Sequence, residues 1–455
     1  MGSSRVRLGG GSLSSPAVPR AELTCARAWD GLAADVRAPS HRVPGLQARI
    51  LVLACLAALV GCIAPMPVAE RVPARGSFDE VVALVEAELY DPALLDGAWR
   101  RAVGEQRDRW ERASTAPERA QILRDLLAQL GVSHTAYYTP DQPAWSELID
   151  LFRGGPTREI VAQRFSGTVR YETIGIVATE IGTETFVADV FDGSPAAAAG
   201  VRTGERILAA ADLPLNSQDQ VAAGVPRAER LLLQESQDDD GGRVVDVQRV
   251  RVQPEEHYLA AQRASAKVVE RDGQRVAYVH LRSWASKRYQ DLLEEQLLEG
   301  QLAGADALVV DLRGGWGGAD PGYLALFDAR APELALTGRD EPTTRMRRAW
   351  TKPVVLLVDR STRSGKEVIA HAFKRHRIGP VVGERTAGAV LGGQPFVLRD
   401  GSLLMLATAD VLVDGERLEG VGVEPDLVVP RVLPYSAGRD PQLEAALDEA
   451  AKRAQ

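Results

Sequence analysis

The sequence predicts an α/β protein in three parts: an N-terminal helical module, a small β-rich domain, and a larger domain of alternating strands and helices closed by a C-terminal helix. Three observations lead there. Apolar residues recur at helical spacing through residues 77–130, the signature of an amphipathic helix. Between about 164 and 252 the chain changes to short β-rich runs separated by Gly and Asp turns. From about residue 266 strand and helix patterns alternate, which calls for a parallel sheet covered by helices, with functional loops at the strand ends. The resulting partition is a leader over 1–61, a linker over 62–76, the helical module over 77–163, the β-rich domain over 164–255, the α/β domain over 256–435 and the last helix over 436–455.

The leader contains ILVLACLAALV at residues 50–60, directly after Arg49. At about 1.5 Å per residue this run is too short to span a bilayer, and it reads as the apolar region of a signal peptide. Leu59, Val60, Gly61 and Cys62 resemble a bacterial lipobox, which implies lipidation at Cys62 and a membrane-anchored product facing the periplasm. Ile63 is not an aspartate-type retention signal, so the outer membrane is favoured. Residues 1 to about 45, rich in Gly, Ser, Pro and Arg, read as disordered or as an upstream start, with an internal start near Val43.

After the Pro-containing linker, SFDEVVALVEAELYDPALLDGAWRRAV is expected to be helical, with Ser77 and Asp79 as N-terminal caps. A second helix fits 116–130 and ends at Gly131, leaving Ser133 and His134 on the turn that follows. In the β-rich domain, residues 192–215 place Ser194 and Pro195 at a helix start, Gly200 at its end and a turn at Thr203 and Gly204. This stretch resembles a PDZ domain. The resemblance implies recruitment of an extended peptide as an added strand, with Ile174, Gly175 and Ile176 as the loop that holds its terminal carboxylate. The acidic loop 238–240 reads as a solvated turn. In the α/β domain, strands are expected in VAYVHLRSW, ALVVDLRGGWGG and PVVLLVD, and helices over 286–302, within PGYLALFDAR, and after Ser364.

Composition narrows the chemistry. At 455 residues with 45% hydrophobic content the chain can bury a substantial core, and a net charge of -8 with scattered Lys and Arg gives no footprint for nucleic acid. The three cysteines, Cys25, Cys55 and Cys62, all lie near the N-terminus, so the body has no disulfide and no cysteine metal site. His371 and His376 lie five apart with no acid between them and do not form the paired face of a zinc helix; they read as helix-surface or core histidines. Gly365 and Lys366 look like the end of a phosphate-binding loop, but Glu367 follows where Ser or Thr would hold magnesium.

What remains is DRSTRSGKEVIAHAF at 359–373, which sets two serines before a helix start. A serine there can cap the helix or act as a nucleophile beside amides able to hold an oxyanion. On this stretch alone both readings stand. Lys366 is two positions from Ser364, a spacing that does not face it on a helix, and is expected to point to solvent. Separately, the Gly-rich strand end DLRGGWGG at 311–318 would let backbone amides approach a substrate closely.

The order of the segments SFDEVVALVEAELYDPALLDGAWR, LGVSHTAYYTP, the PDZ-like region, VVDLRGGWGG, RSTRSGKEVIAHAF, VVGERTAGAV and LEGVGVEPDLVV resembles the tail-specific, or C-terminal processing, serine peptidase family. In that family the nucleophile stands three residues before a glutamate at the helix start, here Ser364 before Glu367; Ser361 keeps a structural role. The bacterial processing proteases use a lysine base where this chain has Ala389. The tricorn-like branch does without it, and the chain is similar to that branch in Ser133, His134 and the run Glu419, x, x, Gly422, Val423, x, Pro425, Asp426. The resemblance implies His134 as base for Ser364, with Glu419 acting through the Ser133 hydroxyl. It further implies an oxyanion hole from the amides of Gly365 and of Gly317 or Gly318, a crotonase/ClpP-like β/α spiral core, polypeptide substrates, and no metal or cofactor. Trp316 stands where the family often has Asn or Pro, and Glu424 is the nearest rival to Glu419. Two other functions fit the same motifs: an inactive peptide-binding scaffold, and a general esterase built on the same serine.

Overall fold

The computed structural model describes residues 77–455, apart from positions within 154–166 and 212–223 and at 239–240, 329 and 340–342. The leader, the lipobox at Cys62, the linker and most of the acidic loop therefore lie outside the described residues. No helix among those described is long and apolar enough to cross a membrane.

The fold is mixed α/β, organised around a six-stranded sheet. Its strands run, edge to edge, Leu427–Val428, Val381–Gly383, Val354–Val358, Ala307–Asp311, Gln274–His280 and Lys267–Arg271. All pairings are parallel except that of the last two strands. Val354–Val358 and Ala307–Asp311 are buried along their whole length, as expected for strands covered on both faces. One face packs against the helices Pro254–Ser265, Lys287–Leu298 and Gly365–Arg375, through residues such as Leu259, Leu293, Ile369 and Phe373. The other face is covered by the C-terminal helix Pro441–Ala454, whose Ala446, Leu447, Ala450 and Ala451 meet Val309, Val355 and Val382. The i, i+1, i+4, i+5 spacing of that small-residue stripe brings the helix close to the sheet.

Two local expectations differ in detail. Residues 77–112 form two α-helices, Ser77–Glu88 and Gly97–Arg112, separated by a 3₁₀ turn at Pro92–Leu94. Pro92 lacks the amide and the ring clearance that a continuous helix needs, while Asp91 and Asp96 accept bonds from the amides of Ala93, Ala98 and Trp99 and so start the next turns. Ser77 is the first helical residue, and its hydroxyl donates to Asp400. The helix expected within PGYLALFDAR is 3₁₀ over Pro321–Phe327.

The helical module does not hold a core of its own. Leu123, Leu126 and Leu127 of helix Ala116–Ala128 pack with Leu391, Leu404 and Leu406 from far along the chain. The strand Ala136–Tyr138 pairs antiparallel with Leu403–Ala409, setting Ala136 opposite Met405 and Tyr138 opposite Leu403. This non-local ladder carries residues 133–134 to the large domain. The β-rich region forms a five-stranded antiparallel sheet over Ile176–Asp246 and a two-stranded ladder of Tyr171–Thr173 with Val250–Val252. Its short helix Pro195–Ala198 is capped by the Ser194 hydroxyl, which accepts from the Ala197 amide at 3.2 Å.

Arg282 ties this region to the large domain. Its guanidinium donates to both oxygens of Asp189 at 2.7 and 2.9 Å, to Asp192 at 2.9 Å and to the carbonyl of Val190 at 2.9 Å, and only 3% of the side chain is exposed. The nearby Arg282 charge holds the Asp189 carboxyl far below its ordinary range despite burial, which acts the other way.

Candidate active site

Strand Val354–Val358 delivers the chain, through Asp359–Arg363, to the start of helix Gly365–Arg375. Ser364 sits at the bend with φ 59° and ψ -133°, a conformation that costs a non-glycine residue on the order of 1–3 kcal/mol and persists only where the surroundings enforce it. Three bonds do so. The Ser364 amide donates to the Ala389 carbonyl at 2.8 Å and to Glu367 Oε1 at 3.3 Å, and the Ser364 carbonyl accepts from the Glu367 amide at 2.8 Å. The hydroxyl is turned to an imidazole, Oγ lying 3.0 Å from His134 Nε2. His134 also has a positive φ of 54°, so both members of this pair are held in uncommon backbone conformations.

On the far side of the ring, His134 Nδ1 is 2.8 Å from Ser133 Oγ, and that hydroxyl donates to Glu419 Oε2 at 2.9 Å. Directionality follows from the acceptor. An ionised carboxylate only accepts, so the Ser133 proton points to Glu419, its oxygen accepts from Nδ1–H, and the lone pair of the neutral imidazole is left on Nε2, facing Ser364. Glu419 is itself fixed by the amides of Ser133 at 3.0 Å, Val390 at 2.7 Å and Leu391 at 3.2 Å. Burial and the Arg363 charge depress the His134 pKa to about 4 against the opposing pull of Glu419, so the ring is neutral at pH 7.

The structure thus brings Ser133, His134, Ser364 and Glu419 into one chain of contacts. The rival Glu424 lies apart, paired with Arg385 at 2.6 Å. Gly317 and Gly365 occupy the contact between the Gly-rich loop and the helix start. A Cβ on Gly317 would fall 2.3 Å from Ser364 Cβ, and one on Gly365 would fall 2.4 Å from the Ala319 amide nitrogen. Gly365 is the first helical residue, where amides have no intrahelical acceptor. Ile174, Gly175 and Ile176 are in the β-rich region, where the Ile174 amide donates to the Pro226 carbonyl and the Gly175 amide to Thr173 Oγ1. Those two donors are engaged within the chain. Among the described residues no three His, Cys, Asp or Glu side chains could hold a metal ion.

A cavity of about 330 Å³ opens beside the cluster, lined by Ser133, His134, Ser364, Gly317 and Arg363 together with Tyr138, Leu148, Phe152, Trp316 and Met405. Four larger hollows elsewhere, of about 630, 810, 390 and 350 Å³, include none of the four candidate residues. The Trp316 indole donates to Glu147 at 2.8 Å, and burial raises that carboxyl's pKa.

Lys366 corrects the sequence reading. It is fully buried, its ammonium donating to the carbonyls of Arg282 and Gly314, and burial depresses its pKa to about 7. The signal was present: Lys366, Ile369, Ala370 and Phe373 follow the i, i+3, i+4, i+7 stripe of the buried helix face. Ser361 is structural, its hydroxyl bonding Asp359 and accepting from the Gly314 amide at 2.7 Å. Sequence reasoning also passed over two roles. Glu367, buried on the same helix, accepts from the amides of Gly388 and Ala389, both at 2.7 Å, and so fixes the loop that receives the Ser364 amide. Gly393 backs the imidazole, since a Cβ there would fall 2.9 Å from both Cβ and Cδ2 of His134.

Comparison with known proteins places this geometry in context. Residues 275–429 match the family described as Peptidase family S41. The chain is 28% identical over 393 residues to tricorn protease homolog 1 of Streptomyces coelicolor, covering 82% of this chain and 34% of that protein. It is 29% identical over 284 residues to the carboxyl-terminal-processing protease of Synechocystis, covering 56% and 62%. It therefore spans about a third of the length of the first and about three fifths of the second. Among solved structures, the tricorn protease aligns with a TM-score of 0.49 at 17% identity over 83% of this chain and 36% of that one. The photosystem II D1 C-terminal processing protease aligns at 0.46 and 20% over 82% and 98%.

Proposed function

Because residues 275–429 match peptidase family S41, we propose that the chain is a serine endopeptidase of that family that cleaves polypeptides through an acyl-enzyme on Ser364. The observation that supports this most directly is the one-way relay of hydrogen bonds from Ser364 through His134 and Ser133 to Glu419. A serine hydroxyl needs a base within hydrogen-bond reach, and the base needs a partner that fixes its tautomer. His134 Nε2 takes the Ser364 proton as Oγ attacks the scissile carbonyl. The imidazolium, stabilised by Glu419 through Ser133, then protonates the leaving amine. Water repeats the sequence to release the acyl group. The developing oxyanion lies against the amides of Gly365 and of Gly317 or Gly318, where loss of one donor costs about 3 kcal/mol of transition-state stabilisation.

The finer architecture belongs to the same reading: a crotonase-like spiral for the large domain, and a PDZ-like β-rich domain that presents substrate chains. With the Ile174 and Gly175 amides already engaged, peptide capture in this domain requires those bonds to be exchanged. Processing of tails or unfolded segments accords with the names of the relatives, and lipidation at Cys62 in the cell envelope rests on the lipobox motif.

The test is fluorophosphonate labelling of wild type, Ser364→Ala and His134→Ala, run beside digestion of casein with product masses. Labelling confined to wild type and multiple internal cleavages are expected. Equal labelling of wild type and Ser364→Ala overturns the nucleophile. Cleavage of small esters without any peptide product leaves an esterase, and peptide binding without turnover leaves a scaffold.

A further inference from the structure

Immediately before the nucleophile, Arg363 is half-buried and lines the active-site cavity. Its guanidinium carbon lies 5.7 Å from the centre of the Trp316 ring. That is the range in which a guanidinium is held over an aromatic face. Trp316 is itself fixed from behind by its indole bond to Glu147. Most guanidinium groups in this region are spent on carboxylates: Arg282 on Asp189 and Asp192, Arg313 on Asp311 and Asp440, Arg431 on Asp359. Arg363 is different, because among the described residues no carboxylate lies within ion-pair distance of it. A cation held on a rigid aromatic platform, with its donors unspent and beside the Ser364 hydroxyl, has the makings of a subsite for an anion of the substrate. The planar fork of arginine suits a carboxylate in particular.

Resting on the peptidase reading, we infer that Arg363 is a specificity-determining residue that binds a carboxylate of the peptide substrate next to the scissile bond. That carboxylate is either an acidic side chain or a free C-terminus. The charge of Arg363 also disfavours the imidazolium of His134. A substrate carboxylate on Arg363 offsets that effect at the moment when His134 accepts a proton. The preference therefore enters kcat as well as KM.

The experiment uses three fluorogenic peptides of one sequence: Glu beside the scissile bond with an amidated C-terminus, Gln at that position with an amidated C-terminus, and Gln with a free carboxylate. They are assayed with wild type, Arg363→Gln, Arg363→Lys and Arg363→Glu. A charge-assisted bond lost from the transition state gives about a tenfold or larger difference in kcat/KM between carboxylate and amide peptides in wild type. Arg363→Gln levels the difference, Arg363→Lys retains part of it, and Arg363→Glu makes the amidated Gln peptide the preferred one, an inversion that mere misfolding cannot produce. Gain with the Glu peptide alone assigns the site to side chains, and gain with the free carboxylate alone assigns it to chain ends. Equal kcat/KM for all three peptides in wild type, or a preference that survives Arg363→Gln, overturns the inference while leaving the peptidase intact. If wild type cleaves none of them, the peptidase reading fails. Fluorescence anisotropy on Ser364→Ala and Ser364→Ala/Arg363→Gln then decides the subsite separately. Tighter binding of carboxylate peptides that is lost with Arg363 supports it, and equal affinities overturn it.

Discussion

Replacing Glu419 by Gln tests the relay at its anchoring end. The carboxylate accepts four bonds. Oε1 takes the Ser133 amide, and Oε2 takes the Ser133 hydroxyl and the amides of Val390 and Leu391. A primary amide has one acceptor oxygen, so it fits in two ways. With its oxygen in the Oε2 position, the NH₂ meets the Ser133 amide donor to donor, and one charge-assisted bond and the negative charge are lost, about 1.5–3 kcal/mol. At about 1.4 kcal/mol per factor of ten, that lowers kcat/KM by about 10- to 150-fold. With the amide reversed, its NH₂ donates to Ser133 Oγ, whose proton then turns to His134 Nδ1. Nε2 becomes protonated and cannot accept from Ser364. A wrong tautomer of this kind costs about 10⁴-fold in the trypsin-like triad. The assay is kcat/KM across pH on a blocked peptide, with near-UV circular dichroism to show that the variant is folded. Because the Glu419 charge raises the His134 pKa, the variant's acidic limb moves to lower pH, which a purely structural defect would not produce. Activity of Glu419→Gln within twofold of wild type refutes the relay.

Four further outcomes follow from the same coordinates. The acidic limb of kcat/KM falls near pH 4 and not near 6.5, since the base is lost only as pH drops through the depressed pKa of His134; Arg363→Gln moves it upward on a neutral substrate. Gly393→Ala drives a methyl into the His134 ring edge and lowers kcat by about a hundredfold, as displacements near 1 Å do, with the thermal midpoint changed far less than activity. Lys366, with its pKa lowered from 10.5 to about 7, binds its proton more weakly folded than unfolded. Stability therefore rises with pH between about 7 and 10.5, by up to about 1.4 kcal/mol per unit, and urea titrations of Lys366→Met lose that slope. Arg282→Ala leaves Asp189 and Asp192 without their buried cation and costs about 3–5 kcal/mol in denaturant unfolding.

The parts of the molecule that sequence made legible are those set by local rules. The parallel core was readable because 307–310 and Val354–Val358 are unbroken apolar runs between helical patterns. That Ser133, His134, Ser364 and Glu419 meet was legible because each lies in one of the short motifs that carry the family resemblance. What could not be read depends on contacts between distant segments. Nothing in residues 136–138 announces a partner at 403–405, nor that the core of the helical module is shared with Leu404 and Leu406. Lys366 does not face Ser364, yet it lies on the buried stripe of its helix, where two backbone carbonyls offset its burial. Arg363 and Glu147 carry no linear signal; Arg363 lines the cavity directly, and Glu147 is joined to it through the Trp316 indole.

The separation of the relay's members along the chain, 230 positions between His134 and Ser364 and 286 between Ser133 and Glu419, has a temporal meaning. Translation emits the imidazole first, the hydroxyl much later and the anchoring carboxylate last. A nascent polypeptide still short of position 419 lacks the carboxylate that accepts from Ser133. On the proposed mechanism the arrangement acts as a built-in delay: cutting competence arrives only once residue 419 has left the ribosome and the chain has closed on itself.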